Sequence, residues 1–320
     1  MIPNSVGSLK RFIRPFVPEP LFVYKQFLNA KRMASDKGIV LAGHGFFFDL
    51  TRGDRVLRIR KSHYVYLQHM IENFEYYLDS VVPLHMDGAN LVDMSGPRYH
   101  KLKGFGQIPF LFPSHTEPYS TTEEYLDFAA LKGGETVLDI GAYAGITSII
   151  FAQLVGPTGH VYAVEPDATN FECAQINVKM AEDVMGLKNI TLIRKAIWSH
   201  SKGLLFSNEG AMGSSAVAIT GGLRGKEEIV PSMRLEDFFE EYGLTRADFV
   251  KIDIEGAEVE VLQSSASFLK STKARLIVEP HFVDGVLSTD RCRGYLESAG
   301  FHVKVRGKVG ESEPLIEAVL

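Results

Sequence analysis

The chain has 320 residues, of which 45% are hydrophobic and 23% are charged, and this composition suits one large globular domain or two smaller ones. Its net charge of −5 argues against general binding to nucleic acid, and its 2 cysteines, which lie far apart, argue against a disulfide framework or a zinc site. No apolar run reaches the length of about 18 residues that a membrane span needs. Prolines interrupt the only signal-like segment, so we expect a cytoplasmic protein.

The first part of the chain, residues 1–118, lacks a regular alternation of elements, and we predict a helical or irregular accessory region there. Residues 61–81, KSHYVYLQHMIENFEYYLDSV, have the spacing of an amphipathic helix with an aromatic stripe. Basic and aromatic residues are interleaved in residues 1–36. A peripheral contact with an anionic membrane is therefore an alternative, although prolines disfavour the helix that such a contact needs.

Strand-like and helix-like segments alternate between residues 119 and 320. The predicted strands are 136–142, 160–166, 190–197, 248–254, 274–280, 301–307 and 314–320, and the predicted helices are 145–155, 168–183, 233–243, 257–270 and 288–300. Near-continuous apolar strands separated by helices predict an α/β fold with a doubly wound, mostly parallel sheet of seven strands. The last two strands have only a short connection, so we expect them to pair antiparallel. A stretch rich in glycine and serine, residues 207–232, predicts a hairpin-like insertion near the substrate side.

The first predicted strand breaks into a glycine turn and then a helix, in the sequence TVLDIGAYAG. Such a turn presents backbone N–H groups and a helix N-terminus to a ligand. The stretch lacks the P-loop pattern, and the second and third glycines of the dinucleotide fingerprint GxGxxG are missing, with Tyr143 at the second. The pattern Asp-x-Gly-x-x-x-Gly, formed by Asp139, Gly141 and Gly145, instead fits S-adenosylmethionine, which has no phosphate.

The second predicted strand ends at Glu165 and Pro166. A carboxylate at this point can accept hydrogen bonds from both hydroxyl groups of a ribose. NAD-dependent enzymes have the same feature, so Glu165 predicts an adenosine ligand but does not distinguish the two cofactors.

The fourth and fifth predicted strands end in ionisable residues, Asp253 and Glu255 on one and Glu279 and His281 on the other. Ligands of open parallel sheets lie beyond these strand ends. We predict that His281 is a general base for an acceptor hydroxyl and that Asp253 or Glu255 orients it or the substrate. Structural roles are the alternatives, and Asp253 could also anchor the amine of the cofactor. The carboxylates could bind Mg²⁺, but the ligand set is incomplete in the sequence, so no metal is expected.

The sequence resembles the FkbM-type methyltransferases, which are S-adenosylmethionine-dependent enzymes of the class I, Rossmann-like fold. The matching stretches are VLDIGAYAG (137–145), VEP (164–166), RKAIWS (194–199), VKIDIEGAE (250–258) and IVEPH (277–281). The resemblance extends over residues 119–320. The family often carries asparagine where this chain has Tyr143.

The resemblance implies that Asp139, Gly141 and Gly145 shape the methionyl pocket, that Glu165 binds ribose and that Ala196 lies near adenine. It also implies S-adenosylmethionine as methyl donor, S-adenosylhomocysteine as product, and O-methylation of a hydroxyl on a sugar, glycoconjugate or natural product. An amine or lipid acceptor, or a non-methyltransferase protein that binds an adenosine ligand or NAD, remains the alternative. We expect a small-molecule or glycan acceptor and no nucleic acid, and we leave a homodimer open. The candidate cofactor contacts are Asp139, Gly141, Ala142, Tyr143, Gly145, Glu165, Pro166, Ala196 and Asp253.

Overall fold

The computed structural model describes residues 19–105, 108–118, 120–220, 226–307 and 314–320. Its internal packing divides the chain into two compact units, residues 1–118 and 119–320. Three segments that the sequence analysis uses lie outside the described residues. They are residues 1–18 of the basic N-terminal stretch, residues 221–225 of the insertion and residues 308–313 between the last two strands.

The first unit contains a mixed β-sheet, which corrects the prediction of a helical or irregular region. The strands lie in the spatial order Val40–His44, Phe47–Arg52, Arg55–Arg60, Ala89–Met94 and Leu84–Met86. The third and fourth of these strands are parallel, and the other neighbours are antiparallel. The strands are short and several alternate buried with partly exposed side chains, so no long apolar run marks them in the sequence.

The other elements of the first unit are one long helix, a helical segment in three pieces and a hairpin. They are the helices Glu19–Asp36, Leu67–Glu72 and Phe74–Ser80, the 3₁₀ helix Lys61–Tyr66, and the strands Arg98–Lys101 and Pro109–Phe112. The single helix predicted for residues 61–81 is therefore broken. One break lies at Asn73, whose backbone is not helical (φ −108°, ψ 26°). The aromatic stripe is part of the core, because Phe74 and Tyr77 are buried.

The second unit is built on a seven-stranded sheet, whose strands are numbered β1 to β7 in chain order. They are Thr136–Ile140 (β1), His160–Val164 (β2), Ile190–Ile193 (β3), Phe249–Ile252 (β4), Arg275–Val278 (β5), His302–Arg306 (β6) and Leu315–Val319 (β7). The spatial order is β3-β2-β1-β4-β5-β7-β6. Strand β7 is antiparallel to both neighbours, and all other pairs are parallel. The predicted doubly wound, mostly parallel sheet is confirmed.

Helices cover both faces of this sheet. Successive residues of β1 enter different apolar clusters, because side chains alternate along a strand: Val137 packs with the helix Ile146–Val155, and Leu138 packs with the helix Glu258–Thr272. The helices of the unit are Ser120–Ala129, Ile146–Val155, Ala168–Met185, Val217–Thr220, Leu235–Glu241, Glu258–Thr272 and Thr289–Ala299. No helix of the described residues is long and apolar enough to cross a membrane.

The third predicted strand, residues 190–197, is two strands in two different sheets. Strand β3 ends at Ile193, and Ala196–Ile197 pairs in parallel with Ser232–Met233. The chain leaves the main sheet at the exposed Arg194. The apolar residues on both sides of this point made the two pieces look continuous in the sequence.

The insertion contains a small antiparallel sheet of its own. Its strands are Leu204–Asn208, Ser215–Ala216 and Lys226–Val230, with Leu204–Asn208 in the centre. A separate hairpin, Phe282–Val283 with Val286–Leu287, follows β5. Both elements lie after the carboxyl ends of sheet strands, where the sequence analysis expects the ligands.

Candidate functional site

The glycine turn after β1 has a backbone that only glycine fits at its first position. Gly141 has a φ of +89°, and a Cβ there would lie 1.7 Å from the carbonyl oxygen of Asp253. The turn is thus in direct contact with the end of β4. Gly145 begins the next helix with a φ of +81°, and a Cβ there would be 3.3 Å from the Cβ of Ala174. Tyr143 also has a positive φ, +49°, which is unusual for a residue with a large side chain.

Asp139, at the end of β1, is fully buried, and its place in the methionyl pocket stays a prediction. Its Oδ2 accepts a hydrogen bond of 2.5 Å from the Oγ of Ser148, in the helix after the turn. Its Oδ1 lies 3.1 Å from the Nζ of Lys251. Asp139 can therefore orient the turn through the helix, but its nearest cation is a lysine of this chain.

Lys251 is a buried cation at the centre of the site, and the sequence analysis did not identify it. Its Nζ donates a hydrogen bond of 2.6 Å to the carbonyl oxygen of Gly141 and lies 3.4 Å from Oδ2 of Asp253. Burial lowers the pKa of this amine, but the carboxylates of Asp139 and Asp253 outweigh burial and raise the pKa above its ordinary value. A signal existed, since a lysine in the apolar stretch FVKI needs a buried partner.

Glu165 follows β2 and is buried beneath the turn. Its Oε2 accepts a hydrogen bond of 2.9 Å from the backbone N–H of Tyr143, and its Oε1 accepts one of 2.9 Å from the backbone N–H of Asp167. Burial is the main cause that raises the pKa of Glu165 to about 8, with a smaller contribution from Asp167. Glu165 thus lies where the sequence predicts it, and its role towards ribose stays a prediction.

An apolar slot opens beside Gly141 and Pro166, between the ends of β1 and β2 and the insertion. Ala196 lies in its wall. The other lining side chains are mostly apolar and include Ile140, Val164, Ile197, Trp198, Leu204, Phe206, Ala216, Ile254 and Ala257. A flat base fits a slot of this kind, so the residues present suit the adenine of S-adenosylmethionine.

The structure brings the three predicted catalytic residues together. Nε2 of His281 lies 3.7 Å from Oδ1 of Asp253 and 3.7 Å from Oε1 of Glu255. Nδ1 of His281 lies 2.9 Å from Oε1 of Glu258, which also accepts hydrogen bonds from the backbone N–H groups of Ile254 (2.9 Å) and Gly256 (3.2 Å). We call the group of Asp253, Glu255, Glu258, Glu279 and His281 the carboxylate–imidazole cluster.

Tyr125 joins two carboxylates of this cluster from the first helix of the unit. Its hydroxyl donates to Glu279 and lies 3.2 Å from Oδ2 of Asp253. Burial and these two carboxylates raise its pKa well above the ordinary value, so the phenol stays protonated. Tyr125 could not be predicted as a member of this site, because no local pattern connects it to strand ends more than 100 residues away. Glu258 was also not predicted, although it ends the VKIDIEGAE stretch.

The charge state of His281 differs from what a general base requires. Burial lowers the pKa of its imidazole, but Glu255, Glu258 and Asp253 outweigh burial and raise the pKa well above its ordinary value. These carboxylates therefore favour the protonated ring, and a protonated ring cannot accept a proton. The ring can act as a base or as a metal ligand only in its neutral form. The role of His281 as general base stays a prediction.

The insertion is attached to both sides of the site. Oγ of Ser215 donates a hydrogen bond of 2.7 Å to the carbonyl oxygen of Glu255. Oγ of Ser214 donates one of 2.6 Å to Oδ2 of Asp167, just after β2. The described part of the insertion therefore connects the loop after β2 with the loop after β4.

The region that matches a known family lies within the second unit. The model of the methyltransferase FkbM domain matches residues 139–303, more than half of the chain. The matched region contains the glycine turn, Glu165, Lys251 and the whole carboxylate–imidazole cluster.

Curated relatives match much shorter stretches. A protein-L-isoaspartate O-methyltransferase from Ignicoccus hospitalis is 34% identical over 68 residues, which are 21% of this chain and 30% of that protein. An arsenite methyltransferase from Halobacterium salinarum is 47% identical over 51 residues, which are 16% of this chain and 13% of that protein. The matches thus span less than a third of the length of these relatives.

One similar solved structure is an FkbM methyltransferase from Methylobacillus flagellatus. It is 15% identical, with a TM-score of 0.44, and the match covers 58% of this chain and 44% of that one. The family assignment rests on the domain match, which confirms the resemblance inferred from the sequence. The chain therefore belongs to the FkbM family of methyltransferases, and its cofactor is S-adenosylmethionine.

Proposed function

We propose that the protein transfers a methyl group from S-adenosylmethionine to a hydroxyl group of an acceptor. The observation that carries this proposal is the position of the carboxylate–imidazole cluster beside the glycine turn. Asp253 contributes both to the cluster and, through its carbonyl oxygen, to the wall that the turn packs against. Groups that can bind and deprotonate an acceptor are therefore next to the residues that suit the cofactor.

The chemistry assigned to the chain is binding, orientation and proton transfer. The cofactor supplies an electrophilic methyl group, so that the acceptor oxygen forms the new C–O bond as the sulfonium C–S bond breaks. A hydroxyl is a weak nucleophile while it keeps its proton, and a positioned base typically contributes about 10²–10⁴-fold. We assign the binding of the hydroxyl to Asp253, Glu255 and His281, and the acceptance of its proton to one of the two carboxylates or to His281 in its neutral form.

The proposed cofactor-binding residues are those that the family pattern indicates, and only the role of Asp139 changes. Gly141, Ala142, Tyr143 and Gly145 form the turn, Glu165 is proposed to bind ribose, and Pro166 and Ala196 are proposed to line the adenine slot. Asp139 acts by positioning the turn, because it is fully buried.

The proposed acceptor is a sugar, glycoconjugate or natural product that carries hydroxyl groups. Carboxylates and imidazole are suitable hydrogen-bond partners for a polyol. Relatives give no direct guide to the acceptor, because they match only a short stretch of the chain. Cys173 and Cys292 are buried free thiols, which is consistent with a reaction in the cytoplasm.

Calorimetry with S-adenosylmethionine, S-adenosylhomocysteine and NAD tests the cofactor. We expect both sulfur ligands to bind to a single site and NAD not to bind. Failure of both sulfur ligands to bind a folded protein would sink the proposal.

The role of the cluster is tested by His281→Ala, with His302→Ala on the exposed edge of β6 as the matched control. We expect His281→Ala to lower turnover by about 10²-fold or more. The affinity for S-adenosylhomocysteine should change little in either variant. Turnover that is equal in the two variants would remove His281 from the reaction. A donor-label transfer screen against glycans and small molecules supplies the acceptor for this assay.

A further inference from the structure

Three side chains beyond the ends of β4 and β5 have the arrangement of cation ligands. Asp253, Glu279 and His281 each offer one donor atom, and these atoms all lie within 4.8 Å of one another. Two ligands on opposite sides of a small divalent cation, each about 2.1 Å from it, are about 4.2 Å apart. Neighbouring ligands of such an ion are about 3.0 Å apart. Oδ1 of Asp253 and Nε2 of His281, which are 3.7 Å apart, therefore need to close by less than about 1 Å to lie side by side on the ion.

We propose that Asp253, Glu279 and His281 hold a divalent cation of the Mn²⁺ type that binds the acceptor hydroxyl. The role of the cation in binding the acceptor rests on the proposed function, whereas the existence of the cation site does not. The mixed donor set selects the kind of ion: carboxylates suit Mg²⁺ and Mn²⁺, whereas imidazole suits first-row transition metals.

The hydrogen bond on the other side of the imidazole supports this assignment independently. Metal-binding histidines usually donate their second ring N–H to a carboxylate or a carbonyl, which fixes the ring and the tautomer. Here Nδ1 of His281 lies 2.9 Å from Oε1 of Glu258, a fully buried carboxylate that two backbone N–H groups also hold. The other nitrogen, Nε2, is the atom directed towards Asp253.

The polar contacts of Asp253 with Tyr125 and Lys251 use its Oδ2, so its Oδ1 stays on the side of His281. Tyr125 and Lys251 approach Asp253 at Oδ2, at 3.2 Å and 3.4 Å. Oδ1 of Asp253 is the oxygen that lies nearest to Nε2 of His281. The hydroxyl of Tyr125 also bonds to Glu279, so it holds the two carboxylates next to each other.

The charge of the region also favours a cation. Five carboxylates lie around two basic side chains, those of Lys251 and His281. The carboxylates are Asp139, Asp253, Glu255, Glu258 and Glu279. Oε2 of the fully buried Glu258 has no hydrogen-bond partner among the described residues. Buried negative charge in excess of positive charge is costly, and a divalent ion reduces this cost.

A cation here would change how the acceptor loses its proton. A bound divalent ion lowers the pKa of an oxygen that it binds. The oxygen would keep its lone pair for the new C–O bond, and the released proton would pass to the carboxylate of Glu255. His281 would then hold the cation and would not be the base.

The test uses Mn²⁺ alone with the ligand-free chain of 320 residues. The paramagnetic resonance signal of free Mn²⁺ falls as the ion binds, so a titration gives stoichiometry and affinity. We expect one saturable site per chain, and we expect Asp253→Asn to abolish it. Asp290→Asn, an exposed carboxylate after the hairpin, is the matched control and should bind Mn²⁺ like the wild type.

Two further variants separate ligation from structural support. In His281→Asn the amide N–H can replace Nδ1 as donor to Glu258, but the variant has no Nε2, so Mn²⁺ binding should be lost while the melting temperature is kept. Glu258→Gln should weaken Mn²⁺ binding by about 10–100-fold, because it acts through the histidine.

The outcomes distinguish this proposal from the proposed function. No saturable Mn²⁺ site in a protein that binds S-adenosylhomocysteine would overturn the cation site and leave the methyltransferase proposal standing. Equal Mn²⁺ binding by Asp253→Asn and Asp290→Asn would also overturn it. Mn²⁺ binding that depends on Asp253 and His281 supports the site even in a preparation that fails to bind the sulfur ligand.

Discussion

At the scale of single residues, Tyr143 and Glu165 depart most from ordinary chemistry. Tyr143 has a positive φ, and the family often carries asparagine there, a residue that tolerates this conformation. Glu165 is a buried carboxyl whose described hydrogen-bond donors are neutral, namely two backbone N–H groups and the side-chain amide of Asn170. The sequence gives the identity of both residues but not the backbone angle or the burial that makes them unusual.

Replacing Tyr143 should reveal the cost of its backbone conformation. Tyr143→Ala, Tyr143→Asn and Tyr143→Gly all remove the ring, so differences among them report the backbone. We expect the glycine and asparagine variants to be more stable than the alanine variant, by up to about 1–2 kcal/mol, because a left-handed conformation costs a residue with a Cβ this much. Urea unfolding measures the order. An alanine variant as stable as the glycine variant would show that the positive φ at this position carries no such cost.

Glu165 should make stability depend on pH. Its pKa is about 8 in the folded protein, against an ordinary value of 4.5, so folding favours the protonated form. The stability that Glu165 contributes is complete below about pH 4.5 and is lost as the pH rises to about 8, by up to about 1.4 kcal/mol for each pH unit.

Glu165→Gln removes this dependence, so the unfolding free energy of the wild type minus that of the variant should fall between pH 5 and 8. Chemical denaturation over this range measures the difference. Glu297→Gln, on the surface, is the control. A difference that stays constant with pH would show that Glu165 is ionised in the folded protein.

At the scale of elements, the site depends on contacts between strand ends. Lys251 of β4 connects Asp139 of β1 to the carbonyl oxygen of Gly141 in the turn. Apolar runs predicted these strands and glycine predicted the turn. The pattern of apolar residues does not reveal that Lys251, inside an apolar strand, joins β4 to β1 and to the turn. The break of the third predicted strand was also hidden, because apolar residues continue on both sides of it.

A double-mutant cycle tests this contact. Lys251→Met leaves Asp139 buried without its cation and should cost about 3–5 kcal/mol of unfolding free energy. Asp139→Asn together with Lys251→Met should cost less than the sum of the single changes, since neither charge is then left alone. Lys304→Met, an exposed lysine on β6, should change stability by about 0.5 kcal/mol or less. Additive effects in the cycle would exclude the pairing as a source of stability.

At the scale of the whole molecule, the two units differ in how far the sequence predicts them. Mostly buried, apolar strands that alternate with helices made the second unit predictable, including its antiparallel last pair. Several strands of the first unit alternate buried with partly exposed side chains, so no apolar run marks them and its sheet was missed. The proximity of Tyr125, Asp253 and Glu279 could not be predicted either, since it results from tertiary packing.

The second unit should bind the cofactor by itself. Residues 119–320 contain both apolar clusters of the sheet, the turn and the adenine slot. A protein limited to these residues should fold cooperatively and bind S-adenosylhomocysteine within about tenfold of the full chain, a difference of about 1.4 kcal/mol. Calorimetry and thermal unfolding measure both properties. A folded fragment without affinity would assign part of the cofactor site to residues 1–118.

The contact between Gly141 and the carbonyl oxygen of Asp253 has a consequence for protein engineering. Because no side chain fits between the turn and the end of β4, the cofactor and acceptor sides share one wall. Changes to that wall intended to accept a new substrate would also disturb the methyl donor. The insertion, which Ser214 and Ser215 attach to the loops after β2 and β4, has exposed side chains and is the better place to introduce diversity. A library that varies exposed positions of its strands, such as Leu205 and Ile229, should alter acceptor preference at constant cofactor affinity. Leu204, Phe206 and Ala216 are left unchanged because they line the adenine slot, and both serines are also left intact.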